Sequence, residues 1–224
     1  MTNKPPPNPN NISLKKNIYL IVFLRFFLDF FKNIWGVFNT PYKTLKKITF
    51  NKKVVQAFLL LFVIPIYTAF STPIRYGLKP GPLPLLLLFL RSTSWTLLTY
   101  LLTCLIIYLV SNKISKKADL SSIIASWAFS LVPTYLWFFS TSFLYFILPP
   151  PRTTSFQGII FSLLFISFSL SLLFWKLILY YLTLRFSSKL NLIQILTASI
   201  IILPALIFYS LTTYKLNIFK IPFI

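Results

Sequence analysis

The chain has 224 residues, of which 57% are hydrophobic, 19% aromatic and only 11% charged, and its 22 Lys and Arg face two acidic residues, Asp29 and Asp119, for a net charge of +20. Soluble domains carry about 25% charged residues, so this composition argues against a water-exposed globule and for burial against lipid. The basic residues stand between apolar runs instead of clustering on a folded face, which excludes a nucleic-acid binder, and the single cysteine, Cys104, permits no intrachain disulfide.

Residues 1–11, rich in Pro and Asn, have nothing to bury and read as a disordered or polyproline-like tail. Residues 12–38 are ambiguous. Between Ile18 and Phe38 stand 14 Leu, Ile, Val or Phe. They favour a bilayer by roughly 4 to 8 kcal/mol, while Arg25, Asp29 and Lys32 oppose it by roughly 8 to 10. Insertion loses narrowly. The three charges lie at i, i+4 and i+7, so they share one helical stripe and can pair along it. A helix lying in the interface, apolar side down, satisfies both facts; a sixth span is the alternative.

Residues 39–53 turn basic, with Lys43, Lys46, Lys47, Lys52 and Lys53. Beside a membrane helix such a segment is held at the cytoplasmic face and attracts anionic lipid, by about 1 kcal/mol per charge. Five apolar runs follow, over 54–70, 84–110, 121–148, 157–182 and 190–213. All exceed the roughly nine to eleven residues of a barrel strand, so they read as helices. The fold class is therefore all-α: a polytopic membrane protein of five transmembrane helices over 54–213, preceded by an N-terminal amphipathic interfacial helix and followed by a short external tail over 214–224. Sixteen Lys and Arg fall at one set of span ends and six at the other. Positive-inside then puts the N-terminus in the cytoplasm and the C-terminus outside. Connections such as Pro149-Pro150-Pro151-Arg152 leave no room for an extramembrane catalytic domain.

The third run organises the rest. Along it Ser122, Ser126, Ser130 and Thr134 recur every four residues; Ser92, Thr96, Thr99 and Thr103 form a similar stripe on the second, and Gly158 and Ser162 begin one on the fourth. Small polar stripes mark faces where helices pack closely, the other use of such a stripe being a polar path for a solute. Pro65, Pro133 and Pro204 fall in three different runs and should kink them. Arg91 and Lys176 lie within about two turns of expected helix ends and can snorkel. Asp119 and Lys176 are expected at one cytoplasmic level on successive antiparallel spans, where they would pair; Asp119 would also cap its own helix.

Catalysis has little to stand on. There is no His and no Glu, and Cys104 has no imidazole to activate it. Asp29 and Asp119 lack the glycine-flanked settings of intramembrane proteases, four glycines make no phosphate cradle, and no metal ligand set exists, so no cofactor is expected.

Ala118-Asp119-Leu120 followed by Trp127-Ala128-Phe129-Ser130-Leu131-Val132-Pro133 resembles the Yip-domain family, the Ypt/Rab-interacting membrane proteins and their prokaryotic relatives. Pro41 with Lys46-Lys47, and Trp175-Lys176-Leu177-Ile178-Leu179 followed by 190–202, extend the likeness over about residues 39–213. The family's glycines are largely replaced here by Ser, Thr or Phe. The resemblance implies five spans with the N-terminus inside and a non-enzymatic scaffold or adaptor, and the excess of Lys over Arg with abundant Phe, Ile and Asn favours a prokaryotic cell membrane. Its expected partners are anionic lipids at the cytoplasmic face and another membrane protein, a homo-oligomer also being open. A small transporter or permease subunit with a hydroxyl-lined bundle is the runner-up.

Overall fold

A computed structural model describes residues 9–76, 82–147 and 156–215. The Pro149–Arg152 connection, residues 1–8 and residues 216–224 of the expected external tail lie outside them. Among the described residues every element is helical: α1 (Pro9–Asn39), α2 (Pro41–Phe50), α3 (Val54–Leu61), α4 (Val63–Tyr76), α5 (Pro82–Ser115), α6 (Leu120–Ser130), α7 (Val132–Ile147), α8 (Phe156–Ser187) and α9 (Leu192–Lys215). Four spans, α5, α6–α7, α8 and α9, are long and apolar enough to cross a membrane, and α3–α4 makes a fifth when joined to α2, to which it is bent by 117°. The protein is an all-α polytopic membrane protein.

Proline explains the breaks. It cannot donate to the carbonyl four residues back, and it disfavours helix at the preceding residue. Pro65 thus interrupts the first span at Phe62, and Pro133 interrupts the third at Leu131. Pro204 behaves otherwise: it lies exposed inside α9, which runs through it as one element. Two sequence boundaries also move. α1 already begins at Pro9, so residues 9–11 are helical and not a tail; most of the basic segment folds as α2, with Pro41 in its first turn, where the missing N–H is harmless.

The third span is the centre. Of its apolar window 72% is buried, against 33%, 0% and 17% for α5, α8 and α9. α6 packs against α2, α3, α5 and α8. Every residue from Ala125 to Tyr135 is buried, with Phe129 and Leu131 among the largest enclosed side chains. Leu164, Ile166 and Phe174 of α8 and Ile193, Ile200 and Phe208 of α9 point outward. Apolar outside with hydroxyls inside is the reverse of a soluble bundle and suits hydrocarbon as the solvent.

Both serine and threonine stripes face helix neighbours. Ser126 donates to the Ser122 carbonyl at 2.7 Å and Ser130 to that of Trp127 at 2.7 Å, so their hydroxyls are satisfied on their own helix and the faces can close. On α5, Ser92 meets Thr68 of α4 at 2.5 Å and Thr99 meets the Tyr209 hydroxyl of α9 at 3.2 Å; Thr103 is buried. Thr96 is buried with no hydrogen-bond partner among the described residues, beside a narrow crevice between α5 and the Pro65 break that has no room for a water molecule.

Candidate functional site

The chain's polar chemistry gathers at one end of the bundle, where α2 meets α3, α5 meets α6 and α8 meets α9. Three hydrogen bonds stitch these turns together. The Asp119 amide donates to the Ser187 carbonyl at 3.3 Å, the Ser115 hydroxyl to that of Ser188 at 3.1 Å, and the Ser122 hydroxyl to that of Thr49 at 3.2 Å. Each turn also passes through a lysine of positive φ: Lys52 (45°), Lys116 (53°) and Lys189 (53°). This end therefore carries Lys43, Lys46, Lys47, Lys52, Lys53, Lys113, Lys116, Lys117, Arg185 and Lys189, while the described opposite ends carry Arg75, Arg91 and Lys215.

Both acidic residues are spent here. Asp119 caps α6: its carboxylate accepts from the Ser122 amide at 3.2 Å and hydroxyl at 2.6 Å, and pairs with Lys52 at 3.0 Å. Desolvation pushes this carboxyl up, but the bonds from Ser122 and Lys52 together outweigh it and hold it below the usual carboxylate range. Asp29, on α1, accepts from Lys47 at 3.1 Å, from Lys53, and from the Gln56 side-chain amide at 3.3 Å. Burial raises it too; the Lys53 and Lys47 bonds and charges dominate and hold it at about 2. Beside it the Asn33 amide donates to Gln56 at 2.7 Å, and Lys47 reaches Asn33 at 3.5 Å. Asp29 thus pairs across to α2 and to the start of α3, not along its own helix with Arg25 and Lys32.

The expected Asp119–Lys176 pair is corrected. The residue level with Asp119 is Ser187, because α8 runs five residues beyond the 157–182 apolar run. Lys176 stands 11 residues, about 16 Å, deeper. Helical side chains lean toward their helix N-terminus, which for α8 is the far end, so the ammonium leans away from the basic end. It donates to Thr134 at 3.0 Å, midway along the third span. It does not snorkel.

Of the five lysines read as lipid-facing, the structure separates two groups. Lys47, Lys52 and Lys53 are held by Asp29 and Asp119. Lys43 and Lys46 are exposed on α2. No local pattern signals that partition, since the partners lie 18 to 67 positions away.

α1 divides its surface in three. Phe30, Asn33 and Val37 are buried against the bundle. Gly36 lets α2 approach so closely that a Cβ there would lie 2.5 Å from the Thr44 hydroxyl. Phe38 rests on Trp175 at 4.8 Å between centroids. Opposite, Leu24, Leu28, Phe31 and Trp35 form an outward ridge at i, i+4, i+7 and i+11, with Leu28 70% and Trp35 67% exposed. Arg25 and Lys32 are exposed along one edge between these faces. No group of three or more metal-ligating side chains exists among the described residues. Comparison with known proteins gave no match to a family model, a curated protein or a solved structure.

Proposed function

We propose that this protein is a non-enzymatic membrane scaffold whose basic, cytoplasmic end, built from α1, α2 and the stitched turns, contacts anionic lipid and a second membrane protein. The observation that carries this reading is the three-way division of α1. Helix 1 has a face for the bundle, a charged edge for water and an apolar ridge for hydrocarbon, the pattern of a helix lying in the interface beside the spans it serves. Ten described Lys and Arg at that end match a negatively charged leaflet, and positive-inside makes it the cytoplasmic one. Five spans behind a basic N-terminal segment are also what the resemblance to the Yip-domain family implies. Photo-crosslinkers placed at Trp35 and Lys46 in cells test it: a defined membrane-protein partner is expected from Lys46 and lipid from Trp35. Adducts to neither overturn the reading.

A transport role is the competing reading, favoured by the Lys176–Thr134 contact at mid-span. It predicts solute flux in proteoliposomes that is lost on mutating Thr99 or Ser130. The hydroxyls of both already donate to their own helix, Thr99 to Trp95 at 2.8 Å and Ser130 to Trp127 at 2.7 Å, which supports packing instead.

A further inference from the structure

We propose that Lys47, Lys53 and Gln56 form a binding site for the phosphate of an anionic lipid headgroup, and that Asp29 is a built-in competitor that holds α1 over it. The inference rests on the reading of the basic end as lipid-contacting, and it names the site there.

The donors already surround an anion. One Asp29 oxygen accepts from Lys47 and the other from Lys53 and Gln56, so two ammonium groups and an amide converge on two oxygens of one negative group. The two non-bridging oxygens of a phosphodiester present the same demand, and lysine serves phosphate as a point charge without strict geometry. The site sits where α2 turns into the first span, and the end of a span is where headgroups would meet it.

Access and energetics both permit exchange. Asp29 is 31% exposed at its side chain and Lys47 45%, whereas Lys53 is 16% exposed and Gln56 is buried, so a phosphate reaches the cradle from the Lys47 side. The Lys47 pair is open enough to be weak and screened, so a leaflet crowded with competing phosphates displaces it first, and Lys53 and Gln56 become reachable as α1 lifts. Lys43 and Lys46, exposed on the same helix, add to the attraction without blocking the cradle. Replacement frees the Asp29 end of α1, whereas the other end stays seated through Gly36 on Thr44 and Phe38 on Trp175. The ridge of Leu24, Leu28, Phe31 and Trp35 already faces away from the protein, so the movement costs chiefly the seat of Phe30, which the headgroup contacts must offset.

The test uses the full chain in nanodiscs of phosphatidylcholine, with or without phosphatidylglycerol. Spin labels at Leu28→Cys and Lys113→Cys, in a Cys104→Ser background, report the distance from α1 to α5. Phosphatidylglycerol should lengthen or broaden that distance, and Asp29→Asn should do so in neutral discs. Asp29→Asn should also raise phosphatidylglycerol retention in native mass spectrometry by about threefold or more, the scale of the exposed Lys47 pair alone. Lys47→Gln/Lys53→Gln should abolish both responses. Inorganic phosphate added to neutral discs separates the sources: no change supports a headgroup site, and an equal change overturns the lipid assignment in favour of a free anion. An unchanged distance, with Asp29→Asn retaining no more lipid than wild type, overturns the proposal even if Lys47→Gln/Lys53→Gln fails to fold. If wild type retains phosphatidylglycerol and only Lys43→Gln/Lys46→Gln removes it, this site falls while the lipid-contacting reading stands. No retention by wild type removes both.

Discussion

Lys176 of α8 donates to the Thr134 hydroxyl at 3.0 Å, 14 residues beyond the start of α6 and 13 before the end of α7. A cation at that depth is costly unless polar groups meet it. Thr134→Val takes one such group away and keeps the shape, so it should lower unfolding stability in detergent by about 1–3 kcal/mol. Adding Lys176→Met should recover part of the loss, because a well-packed apolar residue replaces a poorly solvated charge. Equal losses for the single and double variants would contradict this.

The two carboxylates set an acid limit. Asp29 at about 2, and Asp119 held below its ordinary value, bind protons less readily folded than unfolded. The stability they add is fully present above the unfolded carboxylate value of about 4 and is lost as pH falls toward 2. Melting temperature in a non-ionic detergent should be flat from neutrality to about pH 5 and drop below about pH 4. Asp29→Asn/Asp119→Asn should flatten that drop; an undiminished acid transition in the double variant would count against the assignment.

Gly36 is small because Thr44 is close. An alanine Cβ would meet the Thr44 hydroxyl at 2.5 Å, so Gly36→Ala should weaken the seating of α1 on α2 by about 1–3 kcal/mol. Faster proteolysis between α1 and α2 would report it. Thr44→Ala in the same chain removes the obstructing atoms and should restore the wild-type rate.

The lysines of positive φ make a further case. Lys116 and Lys189 turn at 53°, a conformation glycine adopts without a Cβ penalty. Lys116→Gly and Lys189→Gly should each stabilise by about 0.5–1 kcal/mol, measured as thermal unfolding. Lys52→Gly should not show this gain, because it also removes the pair with Asp119.

Much of the architecture was written in local pattern. Unbroken apolar length located the spans, Pro65 and Pro133 located two breaks, and the four-residue spacing of Ser122, Ser126, Ser130 and Thr134 identified a buried face. What local pattern misses is register between helices. An apolar run stops at the first cluster of polar residues, but a helix does not: α8 carries Arg185 and Ser187 within its last turns, and that overrun moved Lys176 away from Asp119. Asp29 was equally illegible. Its i+3 neighbour Lys32 offered a plausible local partner, whereas Lys47 and Lys53 became available only when α2 folded back against α1.

The enclosed third span also bears on how the chain is made. Its mean hydropathy is 1.4, below the 2.2 and 2.3 of α8 and α9, and its hydroxyl stripe gains nothing from bare lipid. A ribosome delivers it before α8, which it packs against in the finished protein. Until that companion arrives, the nascent segment is the least committed of the spans. Membrane quality-control proteases should therefore find chains arrested just after α7 easier to extract than chains arrested just after α8.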